Sequence, residues 1–218
     1  VKNFIVSGPL RPSLALKYID KERIKIDSNK FDIFLPTELS INSPYNKFTN
    51  YSDSCLKLAD YVLDICSKHK LKLVFSAESY LNSEKFIKEQ EFYKIILQKY
   101  NLDLCAKTSK YSTYIRILES NLTIGLNTTV LREALYLRKK IFACNLTNFV
   151  HADFPIKNIS SPEIKNFNQF ENDVLKLLEL KTENYFEIIK TDLNKEFNIN
   201  KDCSDIINQE IKKVINNQ

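Results

Sequence analysis

Residues Asn121–Asn145 read NLTIGLNTTVLREALYLRKKIFACN, and this stretch decides the fold. Leu122–Leu126 is an apolar run of strand length that passes at once into Asn127-Thr128-Thr129. Val130–Leu137 then places its apolar residues at helical spacing, Arg138-Lys139-Lys140 makes a turn, and Ile141–Cys144 is a second short apolar run. Strand, turn, helix, turn and strand in this order form a βαβ unit, whose two strands must run parallel.

The same alternation continues upstream. Lys2–Val6 reads as a strand opening into the loop Ser7-Gly8-Pro9-Leu10-Arg11, and Phe31–Leu35, closed by Pro36, as a second strand. Cys55, Leu58, Ala59, Val62, Ile65 and Cys66 recur at helical spacing and predict a helix over Asp53–His69. Leu71–Phe75 is apolar almost without a break, as a parallel strand buried on both faces must be. Ser83–Tyr100 predicts a long helix with Ser83 as N-cap and Phe86, Ile87, Phe92, Ile95 and Ile96 as its apolar face. A short strand over Leu102–Cys105 and a short helix over Ser112–Leu118 lead back to the opening stretch. The expected fold is α/β, a doubly wound Rossmann-like parallel sheet with helices on both faces.

Beyond Asn145 the strand signal stops. A loop-like segment with Pro155 and Pro162 precedes helical stretches at about Gln169–Leu180, Thr182–Phe197 and Ser204–Asn216. The expected organisation is a Rossmann-like domain over residues 1–148 and a helical C-terminal extension over 149–218, packed on it or on a domain outside this chain.

Composition narrows the function. With 44% apolar and 27% charged residues, the 218-residue chain is neither a disordered tail nor a collagen-like repeat. No apolar run has the roughly 18 residues of a membrane span, and the N-terminus lacks a secretory-signal layout, so a cytoplasmic protein is expected, free or at the periphery of a membrane. Residue 1 is Val and Met is absent, which reads as a piece of a longer protein. The net charge of +5 is spread evenly, without the basic and aromatic stripe of a nucleic-acid surface. Five scattered cysteines and two histidines suit a reducing compartment and give no metal-ligand spacing, so neither a metal nor a cofactor is expected. Only two glycines are present, Gly8 and Gly125, where about 7% is usual, so each should stand where a side chain does not fit.

Ligands of open α/β sheets lie beyond the carboxyl ends of the strands. That rule singles out the loop with Gly8 and Arg11, the segment Ser76-Ala77-Glu78, the loop Ala106–Tyr111, and Asn127-Thr128-Thr129. The last group opens a helix, where unpaired N–H groups and hydroxyls make an anion site, or where a threonine simply caps the helix. Glu133, one turn beyond Thr129, faces the same crevice and suits a sugar or ribose hydroxyl pair, unless it is a solvated carboxylate. Glu78 and His151 are the candidates for a catalytic acid or base, each with an ordinary alternative: an exposed loop charge for Glu78, and a structural role beside Asp153 for His151.

Asn121–Asn145 resembles the donor-site segment of GT-B glycosyltransferases, in which a strand enters a Ser/Thr-rich turn and then a helix with Glu-Ala. FIVSGPLR, at Phe4–Arg11, resembles the opening of their C-terminal Rossmann-like domain, and LVFSAES with EQEFY resembles the third strand and helix of bacterial surface-polysaccharide transferases. The resemblance spans about Lys2–Asn148. It implies the donor-binding half of a two-domain enzyme that passes a sugar from a nucleotide-sugar to a glycan acceptor, with an N-terminal domain as its partner. On that resemblance Thr128 and Thr129 would hold donor phosphates, Glu133 would bond ribose or sugar, Gly8 would let its loop approach, and the Cys105–Lys107 loop would lie along the base. By its position Arg11 pairs with a phosphate or is a solvated loop arginine, and Lys107, Ser76 and Asn127 complete the expected donor-binding set. Arg138-Lys139-Lys140 departs from the usual small or glycine-containing turn. The short Thr-Thr segment suits CMP-sugars at least as well as UDP- or GDP-sugars. A nucleotide-sugar epimerase and a non-catalytic α/β binding or regulatory module remain the rival readings.

Overall fold

The computed structural model describes residues 10–38, 50–147, 149–196, 207–209 and 211–213. The expected strand Lys2–Val6, Gly8, Cys203 and most of the last helical stretch lie outside the described residues.

Five strands form one parallel sheet in the order β3-β2-β1-β4-β5: β1 Phe31–Pro36, β2 Leu73–Tyr80, β3 Cys105–Lys107, β4 Ser120–Gly125 and β5 Lys140–Ala143. The helices are α1 Leu10–Lys21, α2 Tyr51–His69, α3 Glu84–Tyr100, α4 Ser112–Glu119, α5 Thr129–Tyr136, α6 Phe167–Glu179 and α7 Thr182–Glu196. Because α2 packs against α3 and α6 while α4 packs against α5, the sheet is covered on both faces, as an all-parallel sheet must be. Its central strands are accordingly apolar on both sides: Ile33, Phe34, Leu35, Leu122, Ile124, Ile141 and Phe142 are all buried. Chain order reverses between β1 and β4, so their carboxyl ends flank the crevice at which such sheets bind ligands.

Several expectations shift. Leu10 and Arg11 open α1 rather than a loop: Pro12, Ser13, Ala15 and Ile19 turn inward, and Tyr18 stacks on Tyr111 with ring centroids 4.5 Å apart. Strand β2 runs on to Tyr80, with an irregularity in its pairing to β3 after Ser76, so Ser76-Ala77-Glu78 lies within the strand and not at its exit. Strand β3 begins where Leu102–Cys105 was expected to end, because the chain leaves α3 through Asn101 in the left-handed region and first pairs at Cys105, against Ser76. Ser83 does cap α3, its hydroxyl accepting from Phe86 N at 3.1 Å. The buried face of α3 is Phe86, Glu89, Tyr93, Ile96 and Leu97, whereas Ile87 and Ile95 are 59% and 81% exposed. The inward position that rotates the face away from Ile87 belongs to Glu89, which accepts from Thr37 Oγ1 at 2.7 Å, Glu78 N at 3.1 Å and the Ser79 hydroxyl.

The helices beyond β5 pack on the sheet: α6 lies against α2, β4 and β5, and α7 against β5. Two buried side chains fix them. Lys140, expected in a turn, is the first residue of β5 and donates from Nζ to the carbonyls of Leu177, Leu178 and Leu180 at the end of α6. Tyr185 of α7 reaches the outer edge of β5, where its hydroxyl donates to Ile141 O and accepts from Ile141 N, both at 3.2 Å. Among the described residues, six other than glycine adopt positive φ: Arg23, Lys70, Asn82, Asn101, Arg138 and Asn158. Arg138, at 57°, stands in the turn between α5 and β5 that the resemblance gave to a small residue or glycine. Among the described residues, no helix is long and apolar enough to cross a membrane.

Candidate functional site

The site is built on the turn between β4 and α5. Gly125 ends β4, and a Cβ there would stand 2.6 Å from Glu38 Oε1 and 3.1 Å from Thr128 Cγ2. A side chain there would require the Glu38 carboxylate, held by three hydrogen bonds, to shift. Thr128 takes the extended conformation of an N-cap (φ −79°, ψ 152°), and its hydroxyl accepts from Val130 N at 3.3 Å. Capping is thus one real role of Thr128, while Thr129, the first helical residue, is exposed and carries a second hydroxyl at the helix end. Asn127 contributes a buried Oδ1 with no hydrogen-bond partner, an acceptor that needs a donor.

Glu133 lies one turn into α5. Tyr114 of α4 donates its hydroxyl to Glu133 Oε1 at 3.0 Å. Burial raises the Glu133 carboxyl above its ordinary value, while the Tyr114 bond and the charges of Arg11 and Lys107 act in the opposite direction. Burial and the Glu133 charge together push the Tyr114 phenol upward, so it stays a donor. The charges of Arg11, exposed on α1, and of Lys107, at the end of β3, thus act on Glu133 of α5, and that of Arg11 on Tyr114 as well. Lys107 leads into a tight turn in which Ser112 Oγ accepts from Thr108 N at 3.0 Å and Ser109 N at 2.8 Å.

Glu38, two residues past β1, carries no signal in the sequence beyond its place after a strand. Its carboxylate accepts from Leu126 N at 2.6 Å (Oε1), Asn127 N at 3.4 Å (Oε2) and the Tyr51 hydroxyl at 3.0 Å (Oε2). Burial pushes its carboxyl up to about 7 against these three bonds, which act to lower it. A partnerless carboxylate after a strand is ordinary in sequence; only the strand order brings it to the β4–α5 turn.

The other marked residues stand elsewhere in the chemistry. Ser76 is buried, with its hydroxyl donating to Ala77 O at 3.1 Å and accepting from Arg116, whose guanidinium also bonds Ala106 O. Glu78 is exposed and paired with Lys85, the ordinary surface role. His151 is exposed in a single 3-10 turn, Val150–Ala152, with its ring against Phe149 at 5.0 Å. Asp153 is engaged by Asn145 Nδ2 at 2.7 Å and Lys157 Nζ at 2.8 Å. Among the described residues no cluster of His, Cys, Asp and Glu is arranged to hold a metal, and Cys55, Cys66, Cys105 and Cys144 are free thiols.

The fold is shared with solved structures. The chain is similar to UDP-GlcNAc 2-epimerase from Neisseria meningitidis, bound to UDP-GlcNAc, with TM-score 0.52 and 15% identity over 95% of this chain and 54% of that one. It is also similar to sucrose-phosphate synthase from Thermosynechococcus elongatus, with TM-score 0.48 and 10% identity over 93% of this chain and 49% of that one. A third is the C-terminal domain of a group 1 glycosyl transferase family protein from Francisella tularensis, with TM-score 0.42 and 12% identity over 85% of this chain and 95% of that one. The chain spans about half the length of the epimerase and of the synthase. No family model and no curated protein matches the sequence. What the likeness to the epimerase shows is the fold, a Rossmann-like α/β domain with a five-stranded parallel sheet.

Proposed function

We propose that this chain is the nucleotide-sugar-binding part of a two-domain GT-B-type glycosyltransferase that passes a sugar to a glycan acceptor of the surface-polysaccharide kind. The observation that carries the reading is Glu133, one turn into α5 and bonded by Tyr114, with the charges of Arg11 and Lys107 acting on it. A nucleotide-sugar needs a group that bonds vicinal hydroxyls, positive charge for its phosphates and polar donors, and Glu133, the Arg11 and Lys107 charges that act on it, and the Thr129 hydroxyl would supply them. Thr128 and Thr129 would hold the phosphate nearest the sugar, and Glu133 the ribose or sugar hydroxyls. The buried, unpaired Asn127 Oδ1 suits a ligand hydroxyl donor. Leaving-phosphate charge would be met by Arg11, Lys107 and the α5 N-terminus. The general base for the acceptor belongs, on this reading, to the second domain, and the donor nucleotide is CMP, UDP or GDP.

The second reading is a nucleotide-sugar epimerase, favoured by the similarity in fold to an epimerase bound to UDP-GlcNAc. The two share a donor site and part at turnover. Calorimetric titration of the chain with CMP, UDP, GDP and their sugar conjugates tests the shared part. One nucleotide binding selectively, and weakened in Thr129→Ala and Glu133→Ala, supports the site; no binding at millimolar concentration overturns it. Acceptor-dependent release of the nucleotide by the whole protein then separates transfer from epimerisation.

A further inference from the structure

Glu38 sets a carboxylate against the turn that the proposed function gives to a phosphate. Two N–H groups of that turn, those of Leu126 and Asn127, already donate to it. Its position is fixed from behind: the Cys55 thiol donates to Glu38 O at 3.4 Å, and the preceding residue, Thr37, is held by buried Glu89 at 2.7 Å. The titratable groups facing it are Tyr51 and Cys55 of α2, Tyr93 of α3 and Cys144 after β5, and burial together with the Glu38 charge raises each of them, so all are neutral near pH 7. From the turn itself the N–H groups of Leu126 and Asn127 face it. Among these described groups there is no cation, and the Arg11 and Lys107 charges that act on Glu133 do not act on Glu38.

We propose that Glu38 is a positioning residue of the nucleotide-sugar site, holding the β4–α5 turn through its N–H groups, and that it takes up a proton when the anionic ligand binds. The proposal rests on the donor-site reading above. A phosphate at the α5 N-terminus brings like charge towards the carboxylate, and a like charge favours the protonated form of a buried acid. The proton passes from solvent to Oε2, whose bond from Asn127 N is the longer of the two. The Tyr51 hydroxyl still donates to Oε2, now a weaker acceptor, Oε1 keeps the bond from Leu126 N, and the Asn127 N–H is released to the ligand. Burial has already brought the Glu38 carboxyl up to about 7, where a small push changes its charge.

The test is calorimetric titration of the chain with UDP-GlcNAc and with CMP-N-acetylneuraminate in buffers of differing ionisation heat. In both ligands every phosphate is esterified, so neither titrates between about pH 6 and 8.5. Expected are uptake of a fraction of a proton at pH 7–8 and a Kd that rises up to about tenfold from pH 6 to 8.5, the effect of moving one carboxyl by one pH unit. In Glu38→Gln the uptake vanishes and the pH profile flattens. In Tyr51→Phe, which removes a donor that favours the ionised form, the midpoint moves up; this variant decides if circular dichroism shows Glu38→Gln unfolded. Binding without uptake, uptake that persists in Glu38→Gln, or an unmoved midpoint in Tyr51→Phe overturns the proposal and leaves the donor site standing. No binding of either ligand at any pH overturns the donor site, and the proposal with it.

Discussion

Glu38 and Gly125 share one place in the molecule: the side chain that residue 125 lacks would overlap the carboxylate that residue 38 supplies, at 2.6 Å from Oε1. The end of β1 and the end of β4 are locked together there, through the bond from Leu126 N to Oε1. The crevice between the two strands is therefore shaped by an absence and an anion acting together.

Gly125→Ala should lower stability by roughly 1–3 kcal/mol, the usual cost of overpacking a fitted interior. Urea unfolding measures it. Combining it with Glu38→Ala should recover part of that loss, since the clash then has no partner; a purely additive double mutant would show that the two residues do not meet.

Thr128→Ala and Glu133→Ala should separate two roles on one helix. Losing the cap should cost about 1 kcal/mol of stability. Losing Glu133 should leave the melting temperature nearly unchanged, because a carboxyl raised by burial gives up a desolvation penalty when it is removed. Nucleotide-sugar affinity should fall about tenfold in Glu133→Ala, the loss of one charge-assisted bond at about 1.4 kcal/mol. Thermal melts and titration calorimetry on the same samples check both.

Stability should depend on pH through Glu38 in a direction opposite to that of a salt-bridged acid. Its folded-state value of about 7 lies above the ordinary 4.5, so the folded chain holds the proton more tightly. The contribution is present in full below about 4.5 and is lost as pH rises toward 7, on the order of 1–3 kcal/mol across that window. Subtracting the Glu38→Gln profile from that of the wild type isolates it; a difference that is flat between pH 4.5 and 7 would refute the assignment.

Lys140→Met should destabilise the chain by roughly 1–3 kcal/mol, although the new side chain is apolar and similar in length. The carbonyls of Leu177, Leu178 and Leu180 lose their donor at a buried helix end. Hydrogen exchange should quicken first across the junction of α6 and α7, ahead of the central strands.

What the sequence disclosed and what it withheld divide along physical lines. Strands β1, β4 and β5 and helices α2, α3 and α5 were legible because a doubly covered sheet demands unbroken apolar runs and its helices a regular stripe. Ser83 and Thr128 were legible as caps because capping is a local act. Helix α1 was missed because Gly8-Pro9 reads as a turn and its inward face, Pro12, Ser13, Ala15 and Ile19, is too small to print a stripe. The outward Ile87 and Ile95 misplaced the face of α3, since hydropathy alone does not reveal that a glutamate holds the inward position. Glu133 was singled out by its spacing from Thr129, but its bond from Tyr114 of α4 is a product of packing. Glu38 was invisible for the same reason: its partners lie 88 and 89 residues away.

The six left-handed residues carry a cost that is spent locally and recovered from the core. Each L-residue in that conformation gives up about 1 kcal/mol or more that glycine would not, least for the asparagines. A chain with two glycines in 218 residues has thus written its helix ends and reversals in lysine, arginine and asparagine. Glycine at Arg23 or Lys70 would remove that local cost but leave a freer unfolded chain, so these ends have been settled by side chains that stay ordered at no net loss to the crevice.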